Sequence, residues 1–297
     1  MSEPVVYMID PLPAHSAAPL GGFESTVHRA STAAPTLTVT DLGASRGDGV
    51  FETFGVLAGH AQAVDAHLDR LANSAALLDL PEPNLAQWRV AVAIAADALP
   101  DDRQGGIKLV LTRGVEGTGV PTAWIVATVT ERDFAERQDG IRVVTLDRGY
   151  SSDVARRAPW LLAGAKTLSY AVNMAALREA ARRDADDVIF VSSDGFVMEA
   201  PTSTVIMRHG DVFTTPRTDI GILPGTSQLS LFEFYRGAGF RAEEALVPAE
   251  ELVHADGIWL VSSVRLAAPV IDIDGSRIAH DADMTNRMNA ALMARDA

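Results

Sequence analysis

The sequence predicts a mixed α+β protein of two lobes, and three observations carry that prediction. At 297 residues the chain exceeds what one hydrophobic core usually organises. Short apolar and β-branched runs alternate with stretches of helical spacing in both halves. Between Asp147 and Trp160 the pattern breaks into Arg, Gly, Ser and Asp, a composition that suits a crossing between lobes. The lobes so delimited are residues 1–150, with an irregular arm over 1–35, and residues 161–297, joined by a linker at 151–160.

Along the first lobe, residues 11–35 are rich in Pro, Ala, Gly and Ser, and the β-branched run at 36–40 is read as the first firm strand. A strand follows at Gly49–Leu57. Residues 60–78 then place Leu68, Leu71, Ala75 and Leu78 on one helical face, and 85–99 repeats the spacing. Runs at 107–112, 123–130 and 141–146 read as strands between polar turns. In the second lobe a helix is expected at 169–183, with Val172, Ala175, Ala176 and Leu177 on its apolar face. Strands are expected at 188–192, 196–198, 203–208 and 212–215, a helix at 227–238, and strands at Gly257–Ser262 and 270–273.

Composition narrows the function. Hydrophobic residues make up 47% and charged residues 22%, as in a globular protein with a sizeable core. A formal net charge of -14 opposes wrapping a nucleic acid, which relies on Lys and Arg to neutralise phosphates. It leaves room for a local pocket that binds one phosphate with a few oriented donors. No cysteine is present, which removes disulfides and thiolate chemistry. The seven histidines show no metal-ligand spacing, so no metal is expected. No apolar run is long enough to cross a bilayer and the N-terminus lacks a secretory pattern, which makes a cytoplasmic enzyme the expectation.

Five segments carry chemistry. Lys166 sits among Leu161, Leu162, Ala163, Gly164, Ala165 and Leu168, just ahead of a helix; desolvation lowers a lysine's pKa and frees a neutral amine for Schiff-base chemistry. Glu199 lies in a turn between strands, where a carboxylate can hold a protonated ring nitrogen. Gly225, Thr226 and Ser227 open a helix, whose free N–H groups and positive end suit an anion. Arg70 projects from the first long helix, and Ser262 and Ser263 end a strand; both could add donors to a phosphate.

The order of these pieces resembles the fold-type IV pyridoxal-phosphate enzymes, the class IV aminotransferase family of branched-chain and D-amino-acid aminotransferases and aminodeoxychorismate lyase. Gly47-Asp48-Gly49-Val50-Phe51-Glu52-Thr53 is similar to the family's entry strand, and His67-Leu68-Asp69-Arg70-Leu71 to its phosphate-arginine helix. Lys166, Glu199 and Gly225-Thr226-Ser227 are similar to its Schiff-base lysine, pyridine-nitrogen carboxylate and phosphate turn. The resemblance implies pyridoxal 5'-phosphate as cofactor, a small N-terminal α/β lobe, a larger C-terminal lobe with mixed sheet or barrel, and a homodimer. It also implies Leu223 against one face of the cofactor and Ser262 and Ser263 beside its phosphate.

It implies too an aminotransferase acting on an amino acid and a 2-oxo acid, or alternatively a lyase that releases pyruvate and 4-aminobenzoate from aminodeoxychorismate. The chain departs from the family pattern at Thr204 and Ser169, where asparagine is common, and at Val115 to Val120, which lack the Arg and His that bind substrate carboxylate in D-amino-acid aminotransferases. Phe51, Lys108, Arg113, Thr118 and Arg265 are the substrate-binding candidates.

Overall fold

A computed structural model describes residues 3–295. Contacts divide the chain into two compact units. One runs to Arg132 and also takes Ala165–Tyr170; the other comprises Asp133–Gly164 and Ala171–Arg295. The units therefore part at Arg132, ahead of the expected linker at 151–160, and the segment bearing Lys166 belongs to the first.

The first unit is a six-stranded sheet of β1 (Val5–Ile9), β2 (Val27–Ala30), β3 (Gly49–Leu57), β4 (His60–Ala61), β5 (Gly105–Thr112) and β6 (Thr122–Val129), with α1 (Leu42–Arg46), α2 (Val64–Leu77) and α3 (Leu85–Asp97). Its order is β2-β1-β6-β5-β3-β4, and every pairing is antiparallel. The stripe Leu68, Leu71, Ala75 and Leu78 is buried, as its spacing requires. The expected arm is more ordered than its composition suggests, because β1 and β2 lie within 1–35. Asn84 and Gln87 satisfy the backbone of its irregular part: Asn84 Nδ2 donates to the Pro13 and Ser16 carbonyls, and Gln87 Nε2 to the Asp10 carbonyl.

The strand expected at 36–40 does not form. Its β-branched residues have the propensity but no sheet edge to pair with, Val39 is exposed, and Asp41 N–H closes a turn onto the Thr38 carbonyl.

The second unit is an eight-stranded sheet of β7 (Ile141–Asp147), β8 (Asp187–Val191), β9 (Thr204–His209), β10 (Val212–Pro216), β11 (Arg241–Ala245), β12 (Gly257–Ser262), β13 (Leu266–Ile273) and β14 (Ser276–Arg277), with α4 (Glu136–Asp139), α5 (Val154–Arg157), α6 (Ala171–Arg182), α7 (Thr226–Gly237) and α8 (Ala282–Met293). The sheet is mixed, with β7–β8, β7–β13 and β10–β11 parallel and the remaining pairs antiparallel. Residues 205–207 of β9 and 258–261 of β12 are unbroken apolar runs because both faces are covered there. Ile206, Trp259 and Val261 pack with Leu231, Phe232 and Tyr235 of α7 and Met284, Met288 and Leu292 of α8. Val205, Met207, Ile258 and Leu260 face the opposite core. Residues 196–198, expected as a strand, make only isolated bridges to Val191 and Pro248. Among the described residues no helix is long and apolar enough to cross a membrane.

Candidate active site

In the first unit, the Lys166 segment lies antiparallel along the start of β3. Phe51 N–H donates to the Lys166 carbonyl at 3.0 Å, Leu168 N–H to the Gly49 carbonyl at 2.8 Å, and Lys166 N–H to Ser74 Oγ at 3.2 Å. This approach explains Gly49: a Cβ there would stand 2.8 Å from Leu168 Cδ1 and 2.9 Å from the Leu111 carbonyl oxygen. Lys166 is half-buried. Its Nζ lies 4.7 Å from the centre of the Phe51 ring, and Lys108 Nζ, from β5, lies 4.7 Å from the same centre. Tyr170 meets Phe51 edge-on at 5.3 Å. Two ammonium groups thus converge on one aromatic ring, whose face attracts cations. Burial lowers the Lys108 pKa.

Strand alternation turns Glu52 away from Phe51, toward α2. Arg70 Nε and Nη2 donate to its two carboxylate oxygens at 2.7 Å each, and His67 Nδ1 donates to Oε2 at 2.7 Å. Burial alone would raise the Glu52 pKa, but the Arg70 charge and the hydrogen bonds from Arg70 and His67 outweigh it and hold the carboxyl at about 2. Arg70, read from sequence as a phosphate ligand, is first the partner of a fully buried carboxylate. Any phosphate contact would share that guanidinium.

In the second unit, Glu199 is half-buried and its Oε2 accepts from Leu223 N–H at 3.0 Å. The turn after Glu199 is pinned by Asn173 Nδ2, which donates to the Pro201 carbonyl at 2.7 Å. Gly225 caps α7, and a Cβ there would collide with Thr204 Oγ1 and press on Gln228 Cβ at 3.1 Å. Thr226, Ser227 and Ser263 are buried with their hydroxyls together: Oγ1 of Thr226 is 3.2 Å and Oγ of Ser227 3.5 Å from Ser263 Oγ. Ser262 ends β12 half-buried. The Gln228 side-chain nitrogen, in the first turn of α7, is buried with no hydrogen-bond partner among the described residues. Packed hydroxyls, an unused buried donor, a glycine held to minimal bulk and a positive helix end form a donor set that fits a phosphate. The Glu199 carboxylate, oriented by a backbone N–H, fits a protonated ring nitrogen.

Two of the substrate-binding candidates have donors engaged within the protein. Arg113 donates to Asp48 through Nε and Nη2 at 2.6 and 3.2 Å, and to the Leu78 and Asp79 carbonyls at 2.6 and 3.1 Å. It caps the end of α2, where free carbonyls attract a cation. Arg265 pairs with buried Asp187 at 2.7 Å and donates to Ser203 Oγ at 2.8 Å, which supports the Glu199 turn. Thr118 lies in an exposed turn, where its hydroxyl donates to the Val115 carbonyl at 2.8 Å. Lys108 and Phe51 are the candidates that stand beside Lys166. Sequence reasoning missed Arg295, which donates to Ser227 Oγ and the Ser263 carbonyl. It also missed α8, although Met284, Met288 and Leu292 recur at helical spacing.

Residues 49–273 match the family Amino-transferase class IV. The chain is 48% identical, over 82% of its length and 88% of the relative's, to the bifunctional aminodeoxychorismate lyase / D-amino acid transaminase of Mycobacterium tuberculosis. Its fold is similar to the fold IV transaminase CpuTA1 of Curtobacterium pusillum, with a TM-score of 0.92, 49% identity, and 98% and 97% of the two chains covered. It is also similar to the PLP-bound form of a hypothetical aminotransferase from Mycobacterium tuberculosis, with a TM-score of 0.87, 42% identity, and 98% and 99% covered.

Proposed function

The chain belongs to the class IV aminotransferases, a family dependent on pyridoxal 5'-phosphate, and on that premise we propose that it moves an amino group between an amino acid and a 2-oxo acid, with Lys166 as covalent anchor and proton carrier. The observation that carries the reading is Lys166 Nζ held above Phe51 beside a second cation, Lys108. In this reading Thr226, Ser227, Ser263 and the first N–H groups of α7 hold the phosphate, Glu199 holds the ring nitrogen, and Leu223 lies against the ring. The bound cofactor supplies an electron sink for the bond broken at the substrate's α-carbon.

The chain's own residues do the rest. Lys166, which would hold the cofactor in the resting enzyme, would supply at Nζ the group that takes the α-proton and returns it, as general base and acid. Glu199 keeps the ring nitrogen protonated. Lys108 offers the substrate carboxylate a charge-assisted partner, whereas Arg113 and the two terminal nitrogens of Arg265 already donate within the protein.

A second reading, release of pyruvate and 4-aminobenzoate from aminodeoxychorismate, is favoured by the 48%-identical relative from Mycobacterium tuberculosis, which is named for both activities. It uses the same Lys166 amine. The test incubates purified enzyme with D-alanine or a branched-chain amino acid and 2-oxoglutarate, and separately with aminodeoxychorismate. Transamination of the amino acid is the expected result. Formation of 4-aminobenzoate with no transamination overturns the first reading in favour of the second.

A further inference from the structure

The cluster at the start of α7 already combines three hydroxyls with a positive helix end. A full positive charge enters it as well. Arg295, just past α8, donates from Nη1 to Ser227 Oγ at 3.1 Å and from Nη2 to the Ser263 carbonyl at 3.4 Å. A cation beside the N-terminus of a helix opposes the helix dipole. Burial works against the charge too, lowering the guanidinium pKa to about 10. A dianion among these groups turns both costs into attraction. The hydroxyl chemistry agrees, because an oxygen that accepts from a guanidinium keeps its own O–H to donate elsewhere. Arg70, by contrast, gives Nε and Nη2 to Glu52.

We propose that Arg295 is the charged positioning residue of the phosphate cradle, locking Ser227 and Ser263 in place and biasing the cluster toward a phosphate dianion. The proposal rests on the reading of Thr226, Ser227 and Ser263 as phosphate holders. Its test uses Arg295→Ala and Arg295→Lys, each stripped of cofactor and titrated with pyridoxal phosphate and, separately, with pyridoxal, which has the same ring and aldehyde but no phosphate. Arg295→Ala weakens pyridoxal phosphate binding about tenfold to a hundredfold, the scale of a lost charge-assisted hydrogen bond, and leaves pyridoxal binding unchanged; Arg295→Lys recovers part of the loss. Equal weakening toward both ligands marks Arg295 as merely structural and overturns the proposal, as does no weakening toward either. If the unsubstituted protein fails to prefer pyridoxal phosphate over pyridoxal, the phosphate reading itself falls and takes this inference with it.

Discussion

Lys108 illustrates how one residue can be structurally out of place and chemically apt. β5 is buried at every position except this one, and the exception lies beside Phe51 and Lys166. A lysine kept on an otherwise apolar strand suits an anionic ligand, and with Arg113 and Arg265 committed elsewhere it is the side chain best placed to meet a substrate carboxylate. Lys108→Met is expected to raise KM for amino and oxo acids about tenfold or more, the scale of one lost charge-assisted hydrogen bond, while the visible absorbance of the lysine-bound cofactor persists. An unchanged KM removes Lys108 from the substrate site. The pH dependence has a defined sign: although the side chain reaches solvent, partial desolvation lowers the Lys108 pKa, and its cationic form is present below that value. Carboxylate binding therefore weakens as pH rises through it, earlier than for a lysine with the ordinary pKa. Lys166→Ala removes the absorbance altogether; a visible band that persists in this variant, with the borohydride-fixed adduct mapped to another lysine, would refute the anchor.

At the scale of elements, the helix α7 and its approach explain much of what was legible. Gly225-Thr226-Ser227 could be read from sequence because a helix start announces itself through small and hydroxyl residues. The reason for the glycine could not, since it lies in Thr204, a residue remote in sequence that fills the space a Cβ would need. Gly225→Ala is expected to weaken cofactor retention by about 1–3 kcal/mol, the usual cost of overpacking. Adding Thr204→Ala should recover part of it, a coupling that isothermal titration would measure; strictly additive losses would rule out the contact. Strands β3, β5, β9 and β12 were legible because burial on one or both faces writes itself into apolar order. The run at 36–40 misled for the converse reason, that propensity alone does not supply a pairing edge. β2 and β11, edge strands in which polar residues interrupt the apolar order, left no such mark. The pairing of Arg113 with Asp48 and of Arg265 with Asp187 was not legible, because an arginine's partners are settled by tertiary structure.

For the whole molecule, the two units have separate cores, and their ionic interiors predict different responses to acid. The first unit buries the Glu52, His67 and Arg70 cluster with Glu52 fully enclosed. Its carboxyl has a pKa of about 2, down from 4.5, so Glu52 binds a proton more readily in the unfolded chain than in the folded one. The stabilisation this confers is therefore complete above the unfolded value and is lost as pH falls from 4.5 toward 2. At pH 3 that loss is about 2 kcal/mol by proton linkage. The prediction is that acid loosens the first unit before the second. Hydrogen exchange at pH 7 and pH 3, followed on peptides from β3 and α2 and compared with peptides from β12, would show protection falling first in β3 and α2. The double substitution Glu52→Gln with Arg70→Gln removes both charges without leaving one buried alone, so its stability should be lower at pH 7 but flatter across the same window. Equal acid sensitivity in this variant and the unsubstituted protein would show that some other carboxylate governs the response.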